Sequence, residues 1–368
     1  MKDSADGTSR LNIGHDSTRV HSTRTVTFFL RKILPYLGRR ALFIGPQIFG
    51  VLLLVFVFVR LIPGDPARLM AGPFVNDAAL DRLRESWGLS DPLHIQFAVY
   101  VKNIFQGDLG ISTYTKRPVL VDLISYFPAT FELVLMSVTL MILIGMPLGI
   151  LSGKYKDTFI DHIARIFSLL GVVTPSFLWA IILMLFFAYL IPIFPVAERM
   201  DEALDPPKIV TGLLLIDSLL EGNFKVFRDA FSHLILPGLA IAMPAIGNVA
   251  RLTRTNLSDI YDKQYIEFAR SYAFSEFKIA TKYALKPASI PTVTIIGLDF
   301  ALMLGNAFLV ETVFVWPGMA KYGVEVILAK DLNGIVATAL IITTFYLVIN
   351  MVVDFVVLIL NPRISLKD

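Results

Sequence analysis

Six apolar runs dominate the pattern of this chain. Each is roughly 20 residues long and nearly free of charge, the length that crosses a bilayer as an α-helix. They cover residues 42–62, 131–152, 163–190, 233–250, 289–310 and 335–360. The fourth run contains Pro237 and Pro244, which predict a kink, and Pro175 predicts another in the third. A shorter apolar stretch, 213–220, cannot span and predicts a short surface helix. The pattern is that of an all-α polytopic membrane protein with about six transmembrane helices.

The polar segments between the runs divide the chain. Residues 1–30 are rich in Ser, Thr, Asp and Arg and predict a flexible tail. The first apolar run begins near Ala41, too late for a secretory signal. Residues 31–62 predict an interfacial helix followed by the first span. Residues 63–126 carry Pro63, Gly64, Pro66, many carboxylates and an amphipathic stretch at 80–89, and predict a subdomain outside the membrane. Residues 127–364 hold the remaining five spans.

Charge then orients the spans. Arg31, Lys32, Arg39 and Arg40 precede the first, while Lys154, Lys156 and Arg165 lie between the second and third. Seven cations, Arg251 to Lys286, fall in the segment 251–288. The acidic segments, 63–126 and 193–231, alternate with these basic ones. The positive-inside rule therefore predicts cytoplasmic N- and C-termini. Arg60 ends the first run and is placed to snorkel to the interface.

Composition agrees and excludes several classes. The chain is 55% hydrophobic and 17% charged, against about 25% charged in soluble domains. The absence of cysteine removes disulfides, thiol catalysis and cysteine metal sites. The histidines (His15, His21, His94, His162, His233) have no metal-ligand spacing, so no metal site is expected on this chain. Gly149 to Lys154 imitates a phosphate loop, but it is one residue short and Tyr155 stands where Ser or Thr is required. No nucleophile elbow is present, and the basic residues cluster beside spans rather than in a nucleic-acid-binding pattern.

The most informative polar stretch is 262–291, DKQYIEFARSYAFSEFKIATKYALKPASIP. Its periodicity predicts two short helices divided at Phe274-Ser275. Tyr265, Phe268 and Ala269 are expected on one face, with Tyr272 one turn on. A helix–turn–helix beneath a membrane domain suits docking of a soluble partner: aromatics fill a groove and charges fix register. A solvated amphipathic loop is the plainer alternative.

This stretch resembles the coupling motif, the EAA loop, of bacterial ABC importer permeases. Glu267, Ala269 and Ile290-Pro291 match, while Ala273 stands where the family usually has glycine. Other blocks resemble the dipeptide/oligopeptide/nickel branch of the DppB/OppB type. They include Arg60-Leu61-Ile62-Pro63-Gly64-Asp65-Pro66, Gly107-Asp108-Leu109-Gly110 with Ser112, and Pro128-Ala129-Thr130-Phe131-Glu132-Leu133. Thr174-Pro175-Ser176-Phe177, Glu311-Thr312-Val313-Phe314 with Trp316-Pro317-Gly318-Met319, and Asn361-Pro362-Arg363-Ile364 continue the series in order.

The resemblance implies a MetI-like, type I ABC importer permease fold in the bacterial inner membrane, importing peptides or related small solutes. It implies a second homologous permease, two cytoplasmic ATPase subunits that bind ATP and Mg, and an extracytoplasmic solute-binding protein. The chain itself would hold no cofactor and catalyse nothing. Its coupling residues would be Tyr265, Glu267, Phe268, Ala269, Tyr272, Ala273, Ser275 and Pro291. Within the spans, Asp299, Gly297, Gly305 and Glu311 are candidates for the translocation path, the two carboxylates because charge in lipid is costly and marks function. Asp299 reads equally as a passage-lining carboxylate or as a hydrogen-bond partner of another helix. Glu311 reads as a gate or a cap, and Gly297 and Gly305 as a close-packing face. Glu132 and Asp354 read as structural. An ion-gradient-driven transporter and an intramembrane enzyme are the competing readings. Few central charges and no internal repeat weigh against the first, and the isolation of Asp299 against the second.

Overall fold

The computed structural model describes residues 34–61, 67, 68, 75–86 and 88–360. The N-terminal tail, Arg31, Lys32, Ile62 to Pro66, Trp87 and the 361–364 block lie outside the described residues.

Among the described residues the regular elements are helical. They are α1 (Leu34–Leu61), α2 (Asp77–Ser86), α3 (Leu93–Phe105), α4 (Val119–Lys154), α5 (Phe159–Val173) and α6 (Ser176–Leu190). After these come α7 (Leu214–Leu220), α8 (Phe224–Tyr261), α9 (Gln264–Ser271), α10 (Glu276–Val313), α11 (Met319–Leu328) and α12 (Leu332–Leu360). Helices α4, α8, α10 and α12 are each long and apolar enough to cross a membrane. Helices α5 and α6 form an apolar pair bent by 110° at the break between them, and α1 contributes the shorter apolar stretch Leu42–Phe58. These are the six apolar runs of the sequence.

The prolines act unequally. Helix α8 continues through both Pro237 and Pro244 for 38 residues, so the prolines do not end it. Neighbouring helices pack around it on most sides, which lets a span keep its course past a proline. At Thr174-Pro175 the chain does break. Thr174 is extended (φ −86°, ψ 122°), the conformation favoured before proline, and Pro175 starts the next helix.

Helix α8 is the axle of the bundle, with 72% of its apolar window buried, against 11% for α12. Small residues make this possible. Gly145, Gly149 and Gly153 recur every four residues on α4 and face α8. A Cβ at Gly149 would lie 2.6 Å from the Ala250 carbonyl oxygen. Gly171 of α5 likewise abuts Met243, and Gly247 of α8 abuts Ser168. The false phosphate loop is therefore a helix-packing surface.

Two boundaries differ from the hydropathy pattern. The second span is helical from Val119, well before residue 131, because Pro118 precedes the helix and Asp122 sits in its first turn, where the helix dipole favours a carboxylate. Helix α3 does not stand apart from the spans. Phe97 packs edge-on against Phe49 (5.5 Å) and Phe56 (5.2 Å) of α1. The short helix α7 is present as expected, with Asp217 and Ser218 buried and Leu219 and Leu220 exposed.

Coupling knob, clasp and candidate path

Helix α9 and the start of α10 form a knob beyond the end of α8. Ile266 and Ala269 are buried, packed in a small cluster with Leu257, Ile279, Ala284 and Ala288. Tyr265, Phe268, Tyr272 and Phe277 are exposed, at 45%, 62%, 64% and 77%. The sequence put Ala269 on the same face as Phe268. The structure turns it inward instead, because 100° per residue separates neighbouring positions and Ile266 is its i−3 partner. Glu267 is exposed beside the aromatics, whose Phe268 and Tyr272 rings lie 4.6 Å apart.

The turn between the two helices is fixed locally. Ala273 has φ +55°, a left-handed conformation that normally favours glycine. Its N–H donates to the Arg270 carbonyl and that of Phe274 to Ala269. Ser275 then caps α10, accepting from the Lys278 N–H. Arg270 bridges the turn to Glu276 at 2.9 Å, and that hydrogen bond holds its guanidinium pKa above the ordinary value. Pro291 lies farther up, inside α10 and exposed.

The knob packs on Leu257 of α8, and just before that point a buried ion pair ties α8 to the bundle. Arg254 donates from Nε and Nη2 to the two oxygens of Asp161, at 2.6 and 2.7 Å. Ser152 of α4 donates to the same carboxylate at 2.5 Å, so three helices meet there. Nothing in the sequence singled out this group, since Asp161 and Arg254 are 93 residues apart.

At the opposite end of the bundle, the 128–133 block and the 311–319 block lock together. Glu311 is fully buried. It accepts from Thr130 Oγ1 at 2.5 Å and from the Lys321 N–H at 2.7 Å. Thr130 in turn accepts from the Met319 N–H, and the Trp316 indole donates to the Ala129 carbonyl. A side chain at Gly318 would collide with the Glu311 carboxylate. Glu311 thus closes a structural clasp between α4 and α10–α11 rather than facing a passage. Glu132, one helical step from the clasp, holds Arg199 at 2.6 Å and the Leu215 N–H at 2.7 Å, the structural role expected of it.

The remaining path candidates separate. Gly297 is packed directly under Val353 of α12, as a close-packing glycine. Gly305 has nothing within 4 Å where a Cβ would stand; it faces away from the rest of this chain, beside Leu298, Leu302, Asn306 and Leu309 on the exposed side of α10. Asp299 borders that side, half-buried, and its buried Oδ2 has no hydrogen-bond partner among the described residues.

Comparison with known proteins follows the same lines. The family described as binding-protein-dependent transport system inner membrane component matches residues 145–366, and its N-terminal counterpart matches 33–134. The probable D,D-dipeptide transport system permease protein DdpB of Escherichia coli (strain K12) is 43% identical over 317 residues, covering 86% of this chain and 93% of that protein. The di/tripeptide transport system permease protein DppB of Pseudomonas aeruginosa (strain UCBPP-PA14) is 35% identical, covering 90% and 99%. The glutathione transport system permease protein GsiC of Salmonella choleraesuis (strain SC-B67) is 32% identical, covering 91% and 100%. The six apolar helices, the interlocked signature blocks and these near end-to-end matches give one result: the chain belongs to the family of binding-protein-dependent transport system inner membrane components, multi-pass permease subunits of ABC transport systems that work with ATPase and substrate-binding partners.

Proposed function

We propose that this chain forms one half of a path for short peptides across a bacterial inner membrane. A second homologous permease supplies the other half, two ATPase subunits dock beneath, and a solute-binding protein delivers cargo from outside. ATP and Mg belong to the ATPase subunits, and this chain carries out no catalysis. Both termini and the knob face the cytoplasm, as the basic segments around Lys154 and 251–288 suggest.

The observation that carries the reading is the exposed aromatic ridge of Tyr265, Phe268, Tyr272 and Phe277 on a rigid, internally packed knob. Exposed aromatics on a fixed support are typical anchors for a partner's groove. Motion of the ATPase subunits would reach the spans through α8 and the Asp161–Arg254 pair as a rigid-body tilt between inward-open and outward-open states. The relatives' named cargoes, di- and tripeptides and glutathione, support a short peptide. Asp299, a half-buried carboxylate next to the exposed Leu298 of α10, is the group on this chain suited to meet a peptide's amino terminus.

The test is uptake by the full complex in proteoliposomes. Peptide entry should require ATP inside and binding protein outside. Phe268→Ala should cut cargo-stimulated ATP hydrolysis at least tenfold. Asp299→Asn should raise the KM for free-amino peptides while leaving N-acetylated peptides unchanged. Uptake that proceeds without ATPase subunits, or that ignores Phe268→Ala, would overturn the coupling assignment.

A further inference from the structure

A cavity of 260 Å³ opens between the knob-side ends of α4, α5 and α8. Its walls are apolar at Leu148, Leu169 and Val172, and its mouth is basic, with Arg165, Arg251 and Arg254. Neither the clasp residues nor Gly297, Asp299 and Gly305 line it. It is smaller than the roughly 300–1,000 Å³ of pockets that enclose drug-sized ligands.

The charges at the mouth do not cancel. Arg254 is committed to Asp161 by two short hydrogen bonds. Arg165 lies 3.4 Å from that already-claimed carboxylate and 4.0 Å from the exposed Asp157. Arg251 is exposed and, among the described residues, forms no ion pair. Three guanidiniums thus face two carboxylates, and the excess positive charge sits beside an apolar surface. Leu151, Ile166, Leu170 and Val173, exposed at 47%, 60%, 53% and 69%, continue that surface along α4 and α5.

We infer that this cavity is a binding site for an anionic phospholipid of the cytoplasmic leaflet. The phosphate would sit against Arg251 and Arg165, and an acyl chain would run along Leu148, Leu169 and Val172. Basic pockets between membrane helices on the cytoplasmic side have the chemistry that retains acidic head groups, while the apolar wall has no use for a free anion. The inference rests on the orientation proposed above. The site borders the Asp161–Arg254 junction, so an occupied cavity would brace the end of α8 from which the knob projects.

The test is native mass spectrometry of the complete complex titrated with phosphatidylglycerol, phosphatidylcholine or inorganic phosphate. Phosphatidylglycerol should bind at least tenfold more tightly than phosphatidylcholine. Arg251→Gln, which removes only an exposed cation, and Ala164→Leu, which fills the cavity, should each abolish that preference. Equal binding of both lipids, a preference unchanged in both variants, or equally tight binding of inorganic phosphate would overturn the inference. The same spectra report subunit composition, so loss of the lipid site is separable from failure of the permease assembly.

Discussion

Arg254 grips both carboxylate oxygens of Asp161, at 2.6 and 2.7 Å, across 93 residues of chain. Asp161 is fully buried and the Arg254 side chain is only 19% exposed. Removing one member of such a pair leaves the other charged and unpartnered, which costs about 3–5 kcal/mol. Asp161→Asn and Arg254→Gln should therefore each lower the thermal unfolding midpoint markedly, and the double variant should lose less than their sum. A double-mutant cycle on the purified complex checks this; additive losses would show that the pair is not coupled.

The glycine ladder of α4 predicts a graded response. At Gly149 a new Cβ meets the Ala250 carbonyl at 2.6 Å, and at Gly145 it meets the Ile246 carbonyl at 3.2 Å. Overpacking of this kind costs about 1–3 kcal/mol, occasionally more. Gly149→Val should destabilise more than Gly145→Ala. Gly305→Ala, in open space within this chain, should leave the isolated subunit's unfolding unchanged or stabilise it by up to about 1 kcal/mol. If the exposed side of α10 meets the second permease, Gly305→Ala would instead lower recovery of the complete complex. Melting curves and co-purification yield separate the two effects.

Acid stability has a specific contributor in Asp217, outside the spans. Burial alone would raise its pKa, but hydrogen bonds from the Thr211 hydroxyl and from the N–H groups of Thr211, Val210 and Gly212 outweigh it, and the net direction is down. A carboxyl lowered on folding contributes stability above its unfolded pKa of about 3.9, and that contribution disappears as pH falls through the lower folded value. Asp217→Asn should therefore weaken the 210–220 loop at neutral pH and flatten the loss of stability below about pH 4. Unfolding measured from pH 7 to 3 checks it; parallel curves for the two proteins would remove Asp217 from the account.

Much of the architecture was legible in the sequence, because bilayer solvation imposes runs of fixed length. The four long apolar helices, the bent α5–α6 pair, the short helix near 213–220 and the helix–turn–helix after Asp262 all follow from periodicity. The four-residue spacing of Gly145, Gly149 and Gly153 is likewise the pattern of a close-packing helix face. What periodicity does not carry is pairing between distant residues. Asp161 with Arg254 and Glu311 with Thr130 are buried polar contacts whose partners lie on other helices, and no local pattern announces them. Ala269 departs from the expected aromatic face because it shares the buried side of α9 with Ile266, one turn before it. The continuation of α8 as a helix past two prolines draws on the helices packed around it, and its own sequence does not contain that information.

Ala273 offers the most direct link between local strain and coupling. Its φ of +55° places a Cβ-bearing residue in the left-handed region, at a cost of roughly 1–2 kcal/mol. Glycine adopts the same conformation freely but loses more entropy on folding. Ala273→Gly should therefore relieve the turn, with a net gain of no more than about 1 kcal/mol, seen as stronger hydrogen-exchange protection of the amides of α9 and the first turns of α10. Ala273→Val, β-branched and unsuited to positive φ, should weaken the same amides. If the knob transmits force as a rigid body, protection and cargo-stimulated ATP hydrolysis should rise and fall together across glycine, alanine and valine. Hydrolysis that stays constant while protection changes would show that the ridge of Phe268 and Tyr272 works without a stiff turn behind it.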